Sequence, residues 1–257
     1  MATIIANNSD GFIQSFYSRA SSAGNYDDNL YVDCRQGDGL FSLSVRDTSA
    51  TSDNICIRAK QYTYGAAPGT KVLWFNRTFI DFDTSGISEV PTDGTLQIYG
   101  YSQAFGDVIA VKSDHTAAGL QTSDYTAING CSSQLAASDG DGTGTFASCA
   151  TVYGPELSTW TTSGYNSFTL SAAALSDIAS LSTFKVALLN HDNDYLDIDN
   201  NGSNFGHDNG LYFSEESGKE PKLVITEAPS DPVAFNEFKV KNSNLNIKNS
   251  DLKFNPK

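Results

Sequence analysis

The chain has 257 residues, enough for one large all-β domain or two small ones and for a sizeable buried core. A formal net charge of −14 argues against nucleic acid as a partner, because neutralising phosphates takes a basic face. Aromatics at 11%, 21 glycines and a single Met favour strands and turns over helices.

No apolar run approaches the length needed to cross a bilayer, so no membrane partner is expected. Residues 1–6 lack the basic start and long apolar stretch of a secretory signal. The expectation is a soluble chain without an export address. The acidity is uneven: residues 1–226 carry 11 Lys+Arg against 26 Asp+Glu, residues 227–257 carry 5 against 4. That shift predicts a body over residues 1–226 and a separate C-terminal tail over residues 227–257.

In chain order, residues 4–17 alternate around an Asn8-Ser9-Asp10-Gly11 turn and predict two short strands. Residues 18–25 read as a loop. Residues 30–35, 40–46 and 55–64 read as strands, the second with Phe41, Leu43 and Val45 on one face. Residues 72–87 form the longest aromatic and β-branched run. Leu73, Phe75, Arg77 and Phe79 fall on one face and Val72, Trp74, Asn76, Thr78 and Ile80 on the other. Both faces are bulky, which predicts a strand covered on both sides in the middle of a sandwich. Arg77 among aromatics needs a carboxylate or carbonyl partner, or an aromatic face to lie on.

Residues 95–101 and 107–112 predict further strands, and residues 119–149 a long polar excursion of the surface kind. Cys131 and Cys149 bracket that excursion; a bridge would contribute about 3 kcal/mol in the loop-entropy model, and spacing leaves its existence open. Cys34 and Cys56 read as small buried hydrophobes in strands. Residues 165–170, 184–189, 210–213 and 221–226 complete the strands. The one predicted helix covers residues 171–182, with Ser171 as its cap and Leu175, Ile178 and Ala179 on one face. Many short strands separated by turn chemistry predict an all-β fold, an antiparallel β-sandwich of jelly-roll type with one short helix.

The run Arg77-Thr-Phe-Ile-Asp-Phe-Asp-Thr-Ser-Gly-Ile87, then Thr95-Leu-Gln-Ile-Tyr99, Leu211-Tyr-Phe-Ser-Glu-Glu216 and Glu220-Pro-Lys-Leu-Val-Ile225 resembles the order of motifs in DNRLRE-type jelly-roll domains. Such modules occur in bacterial surface and secreted proteins, and similar ones in phage virion proteins. The resemblance implies a sandwich that binds carbohydrate or builds surfaces, without catalysis. The Trp-rich stretch typical of that family's middle is reduced here to Leu157-Ser-Thr-Trp160.

The tail repeats every seven residues, with Phe238 and Val240, Leu245 and Ile247, Leu252 and Phe254 each followed by Asn-rich turn residues. Apolar residues at i and i+2 match a strand rather than a coiled coil. So short a unit cannot bury its own stripe, which predicts docking on a partner or oligomerisation, with a trimer favoured. A polar, Asn-rich linker is the competing reading.

Three constellations could carry chemistry. Asp197-Ile-Asp199-Asn-Asn201-Gly202 fits the first half of a calcium loop, with Asp208 at its twelfth position and Asp192 and Asp194 nearby. An Asx-rich turn linking two strands is the competing and favoured reading. His191 and His207 flank this loop and make a transition-metal site conceivable, while His115 stands apart; solvated loop histidines are the competing reading. Trp160, read as exposed, with Tyr153 and Tyr165 beside it, is the stacking candidate for a sugar ring, against a structural role for the same aromatics. Asp81 and Asp83 share a face but sit where a turn begins. No nucleophile elbow, zinc-protease motif or phosphate loop is present.

Together these features predict a non-enzymatic virion structural protein, a phage head decoration or a tail or fibre appendage present in several copies. The alternative is a carbohydrate-binding module or adhesin of a bacterial surface or secreted protein, meeting host-surface glycans.

Overall fold

A computed structural model describes residues 1–20, 31, 34–37, 42–46, 55–64, 70–101, 106–117, 119–131, 145–198 and 204–228. The strands are β1 (Ala2–Ile5), β2 (Gly11–Ala20), β3 (Ser42–Arg46), β4 (Ile55–Tyr64), β5 (Thr70–Asp83), β6 (Asp93–Tyr101), β7 (Val108–Lys112), β8 (Val152–Leu157), β9 (Tyr165–Thr169), β10 (Thr183–Asn190), β11 (Phe205–Leu211) and β12 (Lys222–Thr226). An α-helix, α1 (Ala172–Ser180), lies between β9 and β10. Every ladder is antiparallel.

β5 is the organising strand, as its two apolar faces require. β2 runs along one of its edges, from Gly11 opposite Phe79 to Ala20 opposite Thr70. The other edge is shared. β4 covers Thr70 to Asn76 and β10 covers Thr78 to Asp83. β3 extends the sheet beyond β2, β11 lies beyond β4, and β7 and then β8 lie beyond β10. A smaller outer sheet runs β1–β12–β6–β9 and is joined to the central one where Gly210 and Leu211 of β11 meet Tyr101 and Gly100 of β6.

Alternation along β5 divides the interior into two cores. Ile80 and Phe82 meet Leu96, Ile98, Phe168, Leu223 and Ile225 of the outer sheet. Leu73, Phe75 and Phe79 face the other way, toward Tyr31, Tyr125, Ile128 and Phe146. Each fully buried large apolar side chain contributes about 1.5–3 kcal/mol. The fold is therefore an all-β antiparallel sandwich whose central sheet is buried on both faces. Among the described residues no helix is long and apolar enough to cross a membrane.

α1 forms where the cap chemistry predicts. Ser171 Oγ accepts from Ala174 N at 3.3 Å, and Ala174 and Ile178 enter the first core. Three local expectations change. Residues 34–36 are helical rather than strand, because Tyr31, Cys34 and Arg35, all buried, follow the i, i+3, i+4 spacing of a helix face. The excursion over residues 119–149 is not confined to the surface: its 3₁₀ turns Thr122–Thr126 and Phe146–Ser148 bury Tyr125 and Phe146 against β5's second face, and the Cys131–Cys149 disulfide joins them. β8 had no expected counterpart. It contains Gly154 and Pro155, which suit its place beyond β7 at the end of the strand order. A Cβ on Gly154 would meet Phe168 at 2.6 Å. The repeat-bearing residues 238–254 lie outside the described residues.

Candidate functional site

β4 leaves the edge of β5 at Asn76 and β10 takes it over at Thr78. The chain stitches this split with side-chain amides and hydroxyls. Asn76 Nδ2 donates to Ile55 O at 2.5 Å, Thr78 Oγ1 donates to Cys56 O at 2.9 Å, and Asn209 Nδ2 donates to Gly106 O at 2.6 Å. The seam continues to one rim of the central sheet, where four elements end together. Asp107 immediately precedes β7, Glu156 lies on β8, His191 follows β10 and His207 lies on β11.

Asp107 is the hub. Its backbone carbonyl accepts from His191 N at 2.8 Å. Its Oδ2 takes Asn190 Nδ2 at 2.7 Å and His207 Nδ1 at 2.6 Å. Oδ2 thus has two partners, which orient the carboxylate. Oδ1 is left facing the other way, 3.6 Å from His191 Nδ1, with Asp192 N donating to it at 3.2 Å. The same imidazole nitrogen lies 3.6 Å from Glu156 Oε2 and 3.0 Å from Asp192 Oδ1. The imidazole stacks on Tyr195 at 5.6 Å between centroids. The donor atoms of Asp107, Glu156 and His191 all lie within 4.8 Å of one another.

Two consecutive left-handed residues make this approach. Gly106 has φ +71° and Asp107 φ +63°; Asp tolerates that region better than most residues. A Cβ on Gly106 would meet Ser158 O at 2.3 Å, so only glycine fits. The hydrogen bond to Asp107 holds the His207 imidazolium above its ordinary pKa, against partial burial, which works the other way.

Charge pairing sets this rim apart from neighbouring carboxylates. Asp194, fully buried, is clamped by Arg77, whose Nε and Nη2 each donate at 2.7 Å. Arg77 also donates to Tyr125 O and Arg35 O and lies 4.0 Å over the Tyr125 ring. The three partner types that an arginine in this strand demands are thus all present. Burial opposes the Arg77 charge, but Asp194, Tyr125 and Cys34 together outweigh it and hold the guanidinium above its ordinary pKa. Asp208 is held by Arg58 Nε at 2.6 Å and Lys60 Nζ at 3.1 Å. Asp107, Glu156 and Asp192, by contrast, have ion-pair contacts only with histidines among the described residues.

The sequence candidates therefore redistribute. Asp208 does not offer the free carboxylate that a calcium loop's twelfth position needs, because β4 supplies two cations to it. Asp197 lies 3.3 Å from Arg35 Nη1, and Asp194, one of the extra oxygens, is spent on Arg77. Asp199 and Asn201 lie outside the described residues. Trp160 is buried rather than exposed, with Nε1 donating to Gly210 O at 3.2 Å. Tyr153 is fully buried, stacked on Phe184, and its hydroxyl donates to Asp177. Neither can stack on a sugar ring. His115 is buried against Phe79, not solvated, and burial lowers its pKa to about 4. Asp83 caps its turn through Ser85 N and Oγ, whereas Asp81 is buried and accepts from Asn7 and Ser9. His191 and His207 are brought to one place through Asp107. Asp107 and Glu156, both missed in sequence, have no local motif to betray them.

Tyr165 keeps a half-exposed position and belongs to a second feature. It meets Tyr99 edge-on at 5.1 Å, Tyr99 meets Tyr212 at 5.7 Å, and Tyr212 meets Tyr101 at 5.0 Å. This four-tyrosine strip lies on the solvent side of the outer sheet, with Lys219 and Lys222 each 3.9 Å from a ring centroid.

No protein-family model and no curated protein matches this chain.

Proposed function

We propose that the chain is a non-enzymatic structural protein of a phage virion, a head decoration or a tail or fibre appendage. Residues 1–226 form a displayed sandwich of the DNRLRE kind, and residues 227–257 attach it to other virion proteins or to copies of itself. The observation that carries this reading is the pairing of the first described strand, β1, with the last described strand, β12. Ala2 pairs with Ile225 and Ile5 with Lys222, while β6 covers the other edge of β12. The last described strand therefore has both neighbours within residues 1–226, and the apolar pairs of the seven-residue repeat follow it in sequence. A repeat that cannot bury its own stripe calls for neighbours. Antibody raised against the body should label intact particles at many sites by electron microscopy; particles that stay unlabelled contradict the reading.

The four-tyrosine strip favours a second reading, a carbohydrate-binding module or adhesin. Tyrosines on the solvent side of the outer sheet, flanked by Lys219 and Lys222, make an amphipathic aromatic surface of the kind on which a sugar can pack. In a glycan array, binding that is lost in Tyr212→Ala supports it, and an array without hits removes it.

A further inference from the structure

We propose that Asp107, Glu156 and His191 bind one divalent transition-metal ion of the zinc class, through Asp107 Oδ1, Glu156 Oε2 and His191 Nδ1. This inference stands apart from the assembly role, and either can fail without the other.

The geometry comes first. A tetrahedral ion with arms of about 2.1 Å needs its ligand atoms roughly 3.4 Å apart. The imidazole nitrogen is already 3.6 Å from each of the two carboxylate oxygens, so an ion between them needs only small side-chain adjustments. The fourth corner is open to Asp192, whose Oδ1 lies 3.0 Å from the same nitrogen, or to water.

The surroundings fit a ligand set. Metal-bound carboxylates and imidazoles are held by outer partners that fix their orientation. Asp107 has such partners on the oxygen that faces away from the cluster, His207 Nδ1 and Asn190 Nδ2. The His191 ring is packed on Tyr195, and its main chain is tied to Asp107 O. Three carboxylates face one imidazole, and among the described residues no Lys or Arg pairs with any of them. A divalent cation would offset that charge. An imidazole nitrogen among carboxylate oxygens favours zinc-class ions over calcium, which takes six to eight oxygens.

The test is metal retention by the untagged full-length protein after dialysis against zinc chloride, with metal analysis and thermal melting as readouts. One zinc per chain and a raised melting temperature are expected. Glu156→Gln and His191→Gln should each weaken zinc binding about tenfold or more, and His207→Gln by a comparable factor through Asp107. Asp83→Asn, an exposed carboxylate elsewhere, should leave it unchanged. Glu156 is exposed, so its variant retains the fold and keeps the test decisive if His191→Gln does not fold. Failure to retain zinc, equal retention by Glu156→Gln and wild type, or displacement of zinc by equimolar calcium would each overturn the proposal.

Discussion

Asp194 has no exposed surface and is embraced by the Arg77 guanidinium, with Arg35 3.5 Å away. Removing one member of a buried pair strands the other, at a cost of about 3–5 kcal/mol. Arg77→Leu should therefore lower the urea midpoint sharply, and Arg77→Leu combined with Asp194→Leu should recover much of the loss. Equal losses in the single and double variants would show that the pair is not the source. Asp10 makes a pH-dependent counterpart. Burial raises its pKa from 3.8 to about 7, although Ser214 donates to both carboxylate oxygens. The fold prefers the neutral carboxyl, so this contribution to stability is complete below the unfolded pKa and is lost as pH rises through about 7. Asp10→Asn, fixed in the neutral state, should gain about 2–3 kcal/mol on the wild type between about pH 5 and about pH 8. Denaturation curves at the two pH values check it, and an unchanging difference contradicts it.

At the scale of elements, the disulfide matters through what it holds down. Cys131 and Cys149 are 18 residues apart and join the two turns that place Tyr125 and Phe146 over Arg77. Reduction should cost about 3 kcal/mol, read as a lower melting temperature in reductant. Cys34 and Cys56 should stay unreactive toward thiol reagents until the chain unfolds. Both are fully buried, and burial pushes the Cys34 thiol up to about 12 and Cys56 higher still. Much at this scale was legible in sequence. The alternation of residues 72–80 announced both cores, Ser171 announced α1, and Asp83-Thr84-Ser85-Gly86 announced the turn. What was not legible has physical reasons. At residues 31–35 the alternation of a strand and the i, i+3, i+4 spacing of Tyr31, Cys34 and Arg35 both fit so short a stretch. Pro155 hides an edge strand. Trp160 looked exposed beside Thr161 and Ser163, yet its indole is drawn inward by the Gly210 carbonyl across 50 residues. The rim cluster is invisible locally, because residues 107, 156, 191 and 207 meet only once β7, β8, β10 and β11 are in register.

At the scale of the whole molecule, residues 227–257 differ from residues 1–226 in charge and in pattern. The pairing of β1 with β12 is made between residues 2–5 and residues 222–225, so removing residues 229–257 should leave the melting temperature of the remainder nearly unchanged. Assembly is where the difference should appear. The decisive measurement is the mass in solution, by light scattering or sedimentation, of the full chain and of the chain ending at residue 228. A multimeric full-length protein, a trimer foremost, beside a folded monomeric truncation is the expected result. A full-length monomer that meets no virion component, or a truncation that assembles just as well, contradicts attachment through the tail.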